Sequence, residues 1–431
     1  MKLPKAVTRH LPQCPQAIIF IVAFTVRVIL LSRIPYIDLL YGHLTSEGLK
    51  SGEEGINVAV NLFLTGRFAD PFCIPTGATA HLPPAFPAVT AIVFHIFGVG
   101  LTAAVARNII NIAGYSILFA TLPAAATALN MTRSAGILAG LAAAVYPIFR
   151  SAEVFRGRDE WLAALLLLWL TVFVLHLSRE RTLHLRSAVI YGAGWGTLMY
   201  VQPSTVTIFP IHLIALLVAH RSKPLLLRVK YAAVAVFLMA AVIIPWTIRN
   251  RLAMGGWLFM RDNLGLELYI SNADFARASQ QENQAIWWYC SVHPICSVVQ
   301  AKEVRQLGEL DFNRRALHAA SVWIISNKKS FLKLTLERVF YFWADSPVRP
   351  TTFLVRAVLS FTGFVGLALM LRDRLLFQVA LLGAIVLIYP LPYYVIQYSI
   401  RYAAVISFAL LLPAAFALNR LGAALFVSRR I

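Results

Sequence analysis

Charge is scarce in this sequence, and negative charge is the scarcest. Only 13% of the 431 residues are charged, with 19 acidic residues against 39 Lys and Arg, while 59% are hydrophobic. A soluble domain with this composition would expose a largely apolar surface to water. Apolar stretches of spanning length recur from Ile18 to Val427, too many for one signal peptide. The composition therefore excludes a soluble protein and predicts an all-α polytopic membrane protein.

Several motifs of soluble enzymes are also absent. The histidines show no HExxH pattern, the cysteines form no CxxC pair, and no Walker loop, dinucleotide fingerprint or serine nucleophile elbow occurs. Soluble nucleotide chemistry is therefore unsupported, and the cofactor stays undetermined, with a divalent metal as an open alternative. Cys290 and Cys296 can close a small loop in an oxidising compartment; an unpaired structural role for both is the alternative.

The basic residues between the apolar segments set the topology. About ten segments have spanning length, at 17–37, 103–127, 134–149, 161–178, 187–203, 204–220, 230–247, 351–371, 375–390 and 402–420. A further segment, 84–100, is ambiguous, and if it spans, every later loop changes side. When it does not span, the cytoplasmic loops hold most of the nearby basic residues, as the positive-inside rule requires. Those residues are Arg133, Arg179, Arg181, Arg186, Arg221, Lys223, Arg228, Lys230, Arg372, Arg374, Arg429 and Arg430.

This distribution predicts both termini in the cytoplasm and two large outer loops, at about 38–102 and 248–350. Segment 84–100 becomes a helix in the outer interface, opened by Pro83-Pro84 and ended near Gly98, and Phe331–Trp343 becomes a second interfacial helix. Three regions result. Residues 1–247 form a catalytic membrane module that includes the first outer loop, 248–350 form the second outer loop, and 351–431 form a three-span region.

The net charge of +20 has an ordinary explanation in a membrane protein, because Lys and Arg collect in cytoplasmic loops. We therefore expect no nucleic-acid partner. An excess of positive charge in the outer loops would suit a phosphate-bearing lipid or an anionic substrate. The N-terminal residues Lys2, Lys5 and Arg9 precede the first apolar run, which no small-residue cleavage site follows, so we expect a retained first helix.

Acidic residues are concentrated at two places beside the outer membrane boundary. Glu53 and Glu54 begin an amphipathic stretch in the first outer loop, where a carboxylate can accept a proton from an acceptor hydroxyl or merely cap a helix. The loop 150–160 is a polar site or a set of ion pairs that fixes the helix ends. It contains Arg150, Glu153, Arg156, Arg158, Asp159 and Glu160.

Three arginines begin or end apolar segments on the same predicted side. Arg249 and Arg261 open the second outer loop, and Arg401 stands at the start of the last span. Guanidinium groups there can bind a phosphate through two parallel hydrogen bonds. They can equally extend to lipid headgroups, which is the alternative for each of them.

Taken in order, these motifs resemble bacterial membrane glycosyltransferases of the C superfamily, which are related to protein O-mannosyltransferases and aminoarabinose transferases. The first outer loop is similar in Glu54, Ala59-Val60-Asn61-Leu62, Gly66-Arg67-Phe68, Pro71-Phe72, Pro75-Thr76, Ala80, Pro83-Pro84, Pro87 and Phe97-Gly98. Later similarities are Pro245-Trp246, Arg249-Asn250, Arg261, Asn263, Gly265-Leu266-Glu267-Leu268-Tyr269, Asn272, His293-Pro294, Gly308-Glu309 and Arg401-Tyr402. The resemblance extends from about residue 18 to 420.

The resemblance implies an inverting transfer of a sugar from a polyprenyl-phosphate donor to a glycan, lipid or protein acceptor, at the outer face of the bacterial inner membrane. It implies Glu54 as the base with Glu53 adjacent, and Asp159 or Glu160 as a second acidic position. The implied donor-phosphate ligands are Arg249, Arg261, Arg401 and His81, and further site residues are Asn263, Glu267 and Tyr402.

Two departures from the family pattern and two other classes of function stay open. Many members have Asp where this chain has Glu53-Glu54, and others have His or Lys directly before the paired prolines, where Leu82 follows His81 here. A transporter or flippase would show paired, Gly- or Pro-interrupted spans, a pairing that is not evident. A non-catalytic subunit of a glycan assembly system would keep the fold without needing the acidic positions.

Overall fold

The computed structural model describes residues 14–34, 53–146 and 158–428. These ranges are helical throughout, apart from short connections and two isolated β-bridges, and contain no strand of a sheet. The predicted basic ends (Lys2, Lys5, Arg9, Arg429 and Arg430) and the loop residues Arg150, Glu153 and Arg156 lie outside the described residues.

The N-terminal half of the described chain contains nine helices. They are α1 (Pro15–Leu31), α2 (Glu54–Thr65), α3 (Ala85–Phe97), α4 (Leu101–Ala128), α5 (Arg133–Val145), α6 (Glu160–Arg179), α7 (Leu185–Val201), α8 (Phe209–Ala219) and α9 (Leu225–Met254). A 3₁₀ turn, Pro203–Thr207, precedes α8.

The C-terminal half of the described chain begins with six helices of the second outer loop. They are α10 (Leu264–Ser271), α11 (Gln280–Ala285), α12 (Trp288–Val292), α13 (Val298–Leu307), α14 (Glu309–Ser326) and α15 (Lys328–Ala344). The last helices are α16 (Pro350–Arg372), α17 (Leu376–Ile388), α18 (Ile400–Ala404) and α19 (Phe408–Ser428), with a 3₁₀ turn at Leu391–Tyr394.

Five segments of the described chain are long and apolar enough to cross a membrane: α4, α6, α9, α16 and Leu376–Tyr394. Shorter apolar helices occupy Pro15–Leu31, Ala85–Phe97, Arg133–Val145, Pro203–Ala219 and Phe408–Gly422. Each of the ten predicted segments therefore contains a helix, although Leu185–Val201 belongs to neither group. The all-α membrane fold is confirmed, whereas a total of about ten spans stays a prediction.

The ambiguous segment 84–100 forms one short helix. Helix α3 has 13 residues and ends at Gly98, whose φ of 71° favours glycine. At about 1.5 Å per residue the helix is roughly 20 Å long, shorter than the roughly 30 Å of a bilayer core. Its length fits the predicted place in the interface, and its orientation to a membrane stays a prediction. The predicted interfacial helix Phe331–Trp343 lies within α15.

Small residues let neighbouring helices pack backbone to backbone. A Cβ at Gly192 of α7 would overlap the carbonyl of Ala235 in α9, and a Cβ at Gly366 of α16 would overlap the carbonyl of Pro413 in α19. Without a hydrophobic driving force between helices in lipid, such close contact is a main source of their association. These two helix pairs form the frame beneath the outer loops.

The two outer loops share a small apolar core of their own. Phe72 of the first loop packs with buried residues of the second, including Leu266, Ile270, Val292 and Phe312. The second loop is in turn joined to the segment before α18, because Tyr398 N–H donates to Ala278 O at 2.8 Å. Three chain-distant segments therefore meet on one side of the helical frame.

Candidate active site

Glu54 begins helix α2 and lies between two histidines. Its Oε1 is 3.4 Å from Nε2 of His293 and 3.8 Å from Nε2 of His81. Burial disfavours the carboxylate, but contact with His81 and the positive charges of His81 and Arg158 hold the pKa of Glu54 well below its usual range. The helix N-terminus also favours a negative charge. The candidate base is therefore ionised at neutral pH.

His81 is buried and surrounded by carboxylates. Burial alone would lower its pKa, but the charges of Glu54 and Glu309 outweigh burial and raise it. The ring packs edge-on against Phe72 at 5.0 Å between centroids. Its Nδ1 is buried and has no hydrogen-bond partner among the described residues. These carboxylates therefore favour the protonated form of His81 beside Glu54.

Glu309 holds the segment that leads to His81. One carboxylate oxygen accepts from Thr79 Oγ1 at 2.5 Å, and the other accepts from Ala80 N at 2.8 Å. Burial raises the pKa of Glu309 to about 7, against the lowering effect of the His81 charge. Asp262 lies nearby, with its N–H donating to Ala80 O at 2.9 Å, and burial raises its pKa to about 6.

His293 approaches Glu54 from the second outer loop, inside a small disulfide ring. Cys290 and Cys296 are bonded, which confirms the pairing that the sequence left open. The N–H of Ile295 donates to Nδ1 of His293 at 3.1 Å. Burial lowers the pKa of His293 to about 4, so the ring is neutral at physiological pH.

Glu53 and Asp159 flank Glu54 on the side of α6. Glu53 is buried and pairs with Arg158 at 3.3 Å. Asp159 precedes α6; burial and the neighbouring charge of Glu160 raise its pKa to about 7. Its Oδ2 is buried without a hydrogen-bond partner within the described ranges. Arg158 thus forms an ion pair, as one of the two interpretations of this loop predicts. Asp159 instead has a pKa near neutrality.

Arg401, at the start of the last predicted span, reaches Glu160 at the start of α6. Its Nε lies 2.7 Å from Oε1 of the buried Glu160. Behind it, Tyr402 stacks on Tyr393 with 4.2 Å between ring centroids. The last predicted span therefore contributes to the cluster, as the late Arg-Tyr pair suggested.

Arg261 and Glu267 complete the cluster. Arg261 Nε donates to the backbone carbonyl of His81 at 3.1 Å, and Asn263 Nδ2 donates to Glu267 Oε1 at 3.3 Å. Burial raises the pKa of Glu267, and the charges that act on it come from Arg261, His81, Glu54 and Arg401. The structure therefore brings the predicted acidic and basic residues together.

Arg249 differs from the other predicted arginine ligands, because both of its terminal nitrogens donate to backbone carbonyls of the first outer loop. Nη1 donates to Thr79 O at 2.6 Å and Nη2 donates to Phe68 O at 2.5 Å. The guanidinium also lies over the rings of Phe68 and Trp246, 5.1 and 5.0 Å from their centroids. In this structure Arg249 braces the first outer loop, and its role towards a phosphate stays a prediction.

Three side chains, including that of Glu54, lie close enough together to share a metal ion. Donor atoms of Glu54, His81 and His293 lie within 4.8 Å of one another, a donor set that zinc accepts. A ligating imidazole usually donates its second N–H to an outer partner. In His293 the second nitrogen instead accepts from Ile295 N–H, so ligation through Nε2 would bring two hydrogens face to face. The arrangement does not fit a metal held by His293.

Four site residues were absent from the sequence-based set: His293, Glu309, Asp262 and Arg158. The motif His293-Pro294 had been noted without a role, and its position midway between two cysteines is the signal that would have singled it out. Gly308-Glu309 is likewise among the similar motifs, but the sequence gives Glu309 and Asp262 no role, because their role depends on how the two outer loops pack.

No protein-family model and no curated protein matches this sequence. Among solved structures, the archaeal oligosaccharyltransferase AglB from Archaeoglobus fulgidus, in complex with an inhibitory peptide and a dolichol-phosphate, is similar with a TM-score of 0.54 and 13% identity. The match covers 96% of this chain and 51% of that one. The oligosaccharyltransferase of the same organism, tethered with an acceptor peptide containing the NVT sequon, gives a TM-score of 0.56, 13% identity, and 96% and 50% coverage.

ArnT from Cupriavidus metallidurans bound to undecaprenyl phosphate also matches, over 95% of this chain and 79% of that one, at 16% identity. Its TM-score of 0.37 is too low to support an argument. The similarity to the oligosaccharyltransferase is consistent in fold with the family that the motifs resemble. At these identities the similarity shows the fold, and the chain spans about half the length of the oligosaccharyltransferase.

Proposed function

We propose that this protein transfers a sugar from a polyprenyl-phosphate donor to an acceptor hydroxyl, with inversion, at the outer face of the bacterial inner membrane. The observation that carries the proposal is the ionised carboxylate of Glu54 in one charged cluster with Arg261 and Arg401. Such a cluster has both parts that this reaction needs, a proton acceptor and cations for a leaving phosphate.

The reaction can be written with residues of this chain alone. The acceptor oxygen attacks the anomeric carbon from the face opposite the phosphate, while Glu54 accepts the hydroxyl proton. The bond between the anomeric carbon and the phosphate oxygen breaks, and its electron pair leaves with the polyprenyl phosphate. Arg261 and Arg401 stabilise the growing negative charge, because fixed cations need no reorganisation in the transition state.

Glu54 is preferred to Asp159 as the base because of its surroundings. It lies at a helix N-terminus, in contact with two imidazoles and close to the charge of Glu267. A low pKa makes it a weak base, so its main work is to accept a hydrogen bond and take the proton late, once the attacking oxygen becomes acidic. Asp159, with its pKa near 7, is the second candidate.

The same site supports the proposed donor lipid and compartment, because its two loops are those that the positive-inside rule predicts to lie outside. The cluster lies where two outer loops meet above the helical frame, and no soluble nucleotide sugar is available outside the cytoplasm. AglB, which shares the fold, was solved with a dolichol-phosphate, also a polyisoprenoid phosphate. A helix bundle offers the apolar surface that such a tail requires. The sugar and the acceptor stay undetermined.

Reconstitution into lipid nanodiscs tests the proposal. The purified protein would be mixed with short-chain polyprenyl-phosphate hexoses and a cell-envelope extract as acceptor, and released polyprenyl phosphate would be measured by mass spectrometry. We expect release that depends on protein and extract and that disappears with Glu54→Gln. Equal release by the wild type and Glu54→Gln would contradict the assignment of the base, and no release from any donor would contradict the enzyme.

A further inference from the structure

His293 is the central residue of the ring closed by Cys290 and Cys296, with three positions to each cysteine. Residues in and next to this disulfide ring contact His293 from several directions. Ile295 N–H donates to its Nδ1 at 3.1 Å, Ser297 N–H donates to its backbone carbonyl at 2.9 Å, and Tyr289 stacks on it at 4.6 Å. An imidazole held in this way has little freedom to rotate.

The same ring is joined to the loop that carries Glu54. Cys73 N–H donates to Pro294 O at 3.3 Å, and the Phe72 ring lies 6.2 Å from the His293 ring. His293 and Glu54 belong to different outer loops, so these contacts set the distance between the imidazole and the carboxylate. The disulfide therefore lies at the joint between the two loops.

The hydrogen bond from Ile295 fixes where the proton of His293 resides. Because Nδ1 accepts a hydrogen, the neutral ring carries its proton on Nε2, which faces Glu54 Oε1 at 3.4 Å. The pKa of the opposite neighbour, His81, is raised. Glu54 thus lies between two imidazoles, and the Nε2–H of His293 faces its carboxylate at 3.4 Å.

We propose that His293 is a positioning residue that orients Glu54, and that the Cys290–Cys296 disulfide makes this orientation depend on the redox state of the outer compartment. A dithiol reductant would convert the disulfide into two cysteine thiols and become a disulfide itself. Without the disulfide, residues 290–296 would form a flexible loop, and Nε2 of His293 would move away from Glu54.

Displacement of His293 should change the pKa of Glu54, which a merely structural role of His293 would not do. The groups that act on Glu54 are His81, His293 and Arg158, with Glu267 and Tyr289 in the same cluster. Removing an interaction that favours the charged form raises the pKa of a carboxyl group, and the interaction with His293 is one of those that lower the pKa of Glu54. Glu54 should therefore become protonated at a higher pH when His293 is displaced.

Carbodiimide labelling measures this directly and does not require activity. Dicyclohexylcarbodiimide reacts with protonated carboxyl groups in apolar surroundings, and mass spectrometry of the Glu54 peptide gives the labelled fraction at each pH. We expect the midpoint to move up by about one pH unit or more in His293→Leu and in wild-type protein reduced with dithiothreitol. His293→Gln, which keeps an N–H donor, should lie closer to the wild type.

The expectation for turnover rests on the proposed function. With an active donor, His293→Leu and the reduced wild type should lose turnover by up to about 100-fold, as a misplaced group can, while binding of undecaprenyl phosphate is retained. Cys290→Ser/Cys296→Ser should be slow before reduction and unaffected by dithiothreitol. Cys73→Ser, which replaces a cysteine that is not part of the disulfide, should remain sensitive to the reductant.

Two results would overturn the proposal. One is an unchanged Glu54 labelling midpoint in both His293→Leu and the reduced protein. The other is stoichiometric Zn²⁺ binding by the wild type that His293→Leu abolishes, which would make His293 a metal ligand. If labelling shifts as expected but no donor is turned over, the positioning stands and the proposed function fails.

Discussion

Arg401 Nε lies 2.7 Å from Glu160 Oε1, although the two residues are 241 positions apart in the chain. The pair joins the N-terminus of α6 to α18, the short helix at the start of the last predicted span. The buried carboxylate of Glu160 fixes the direction of the Arg401 guanidinium. Less conformational entropy would then be lost when the guanidinium binds a phosphate. We therefore expect Arg401 to bind the phosphate of the proposed lipid donor.

Replacing Arg401 by Ala should weaken binding of undecaprenyl phosphate by at least about tenfold, because a charge-assisted hydrogen bond is lost and Glu160 keeps an uncompensated charge. Titration in nanodiscs, followed by tryptophan fluorescence, would measure the affinity. Arg420→Ala is a matched control, since it removes an exposed ion pair with Asp373 in the same C-terminal region. Equal weakening by both variants would show that Arg401 acts only through stability.

Replacing Glu54 by Gln should lower turnover by roughly 10²–10⁴-fold, the usual range for a lost general base, with little change in donor affinity. Initial rates and lipid titrations would be compared on the same preparation. Glu303→Gln serves as the control, because this exposed carboxylate of α13 pairs only with Arg315 of α14 among the ion pairs of the described residues. A variant that lost donor binding in parallel with turnover would indicate a role for Glu54 in holding the donor.

The pH dependence of turnover separates the two candidate bases. The base must be deprotonated, so catalysis by Asp159, whose pKa is about 7, would fall about tenfold for each pH unit below 7. Glu54 has a pKa below its usual range, so its catalysis should stay flat between about pH 5 and 8. We expect the flat profile, and Asp159→Asn should keep it. A falling acid limb that Asp159→Asn abolishes would identify Asp159 as the base.

Sequence alone was sufficient for features that depend on local pattern. Apolar length placed a helix at every predicted span, and Gly98 marked the end of α3. Glu54, Arg261 and Arg401, which were selected from the family motifs, all lie close enough to act on Glu267. What could not be predicted depends on loop packing. Arg249 looked like a phosphate ligand, yet it contacts the carbonyls of Thr79 and Phe68.

The stability of the helical frame should depend on its closest glycine. Gly366→Ala would press a methyl group into the Pro413 carbonyl, and overpacking of this kind costs about 1–3 kcal/mol. Gly383 has no neighbour within 4 Å of an added Cβ, so Gly383→Ala should be neutral or stabilise by up to about 1 kcal/mol. Thermal unfolding in detergent compares them, and equal midpoints would show that α16 and α19 can separate without cost.

The predicted orientation can be tested with single cysteines on intact cells. In a background with Cys14 and Cys73 replaced by Ser, Gln284→Cys should react with a membrane-impermeant maleimide, because it is exposed on the second outer loop. Ser222→Cys, in the exposed turn before α9, should react only after the cells are opened. The reverse pattern would place the site in the cytoplasm.

The contact between Ala278 and Tyr398 also has a consequence for biosynthesis. At roughly 5–20 residues per second, a ribosome needs on the order of 10 to 50 seconds to go from Glu160 to Arg401. During that time the nascent chain already carries Glu54 and His81 and gains His293 about halfway, yet it lacks the segment that closes the second loop. A chain released before residue 401 would therefore contain Glu54 but lack Arg401. We expect such a truncated protein to be inactive.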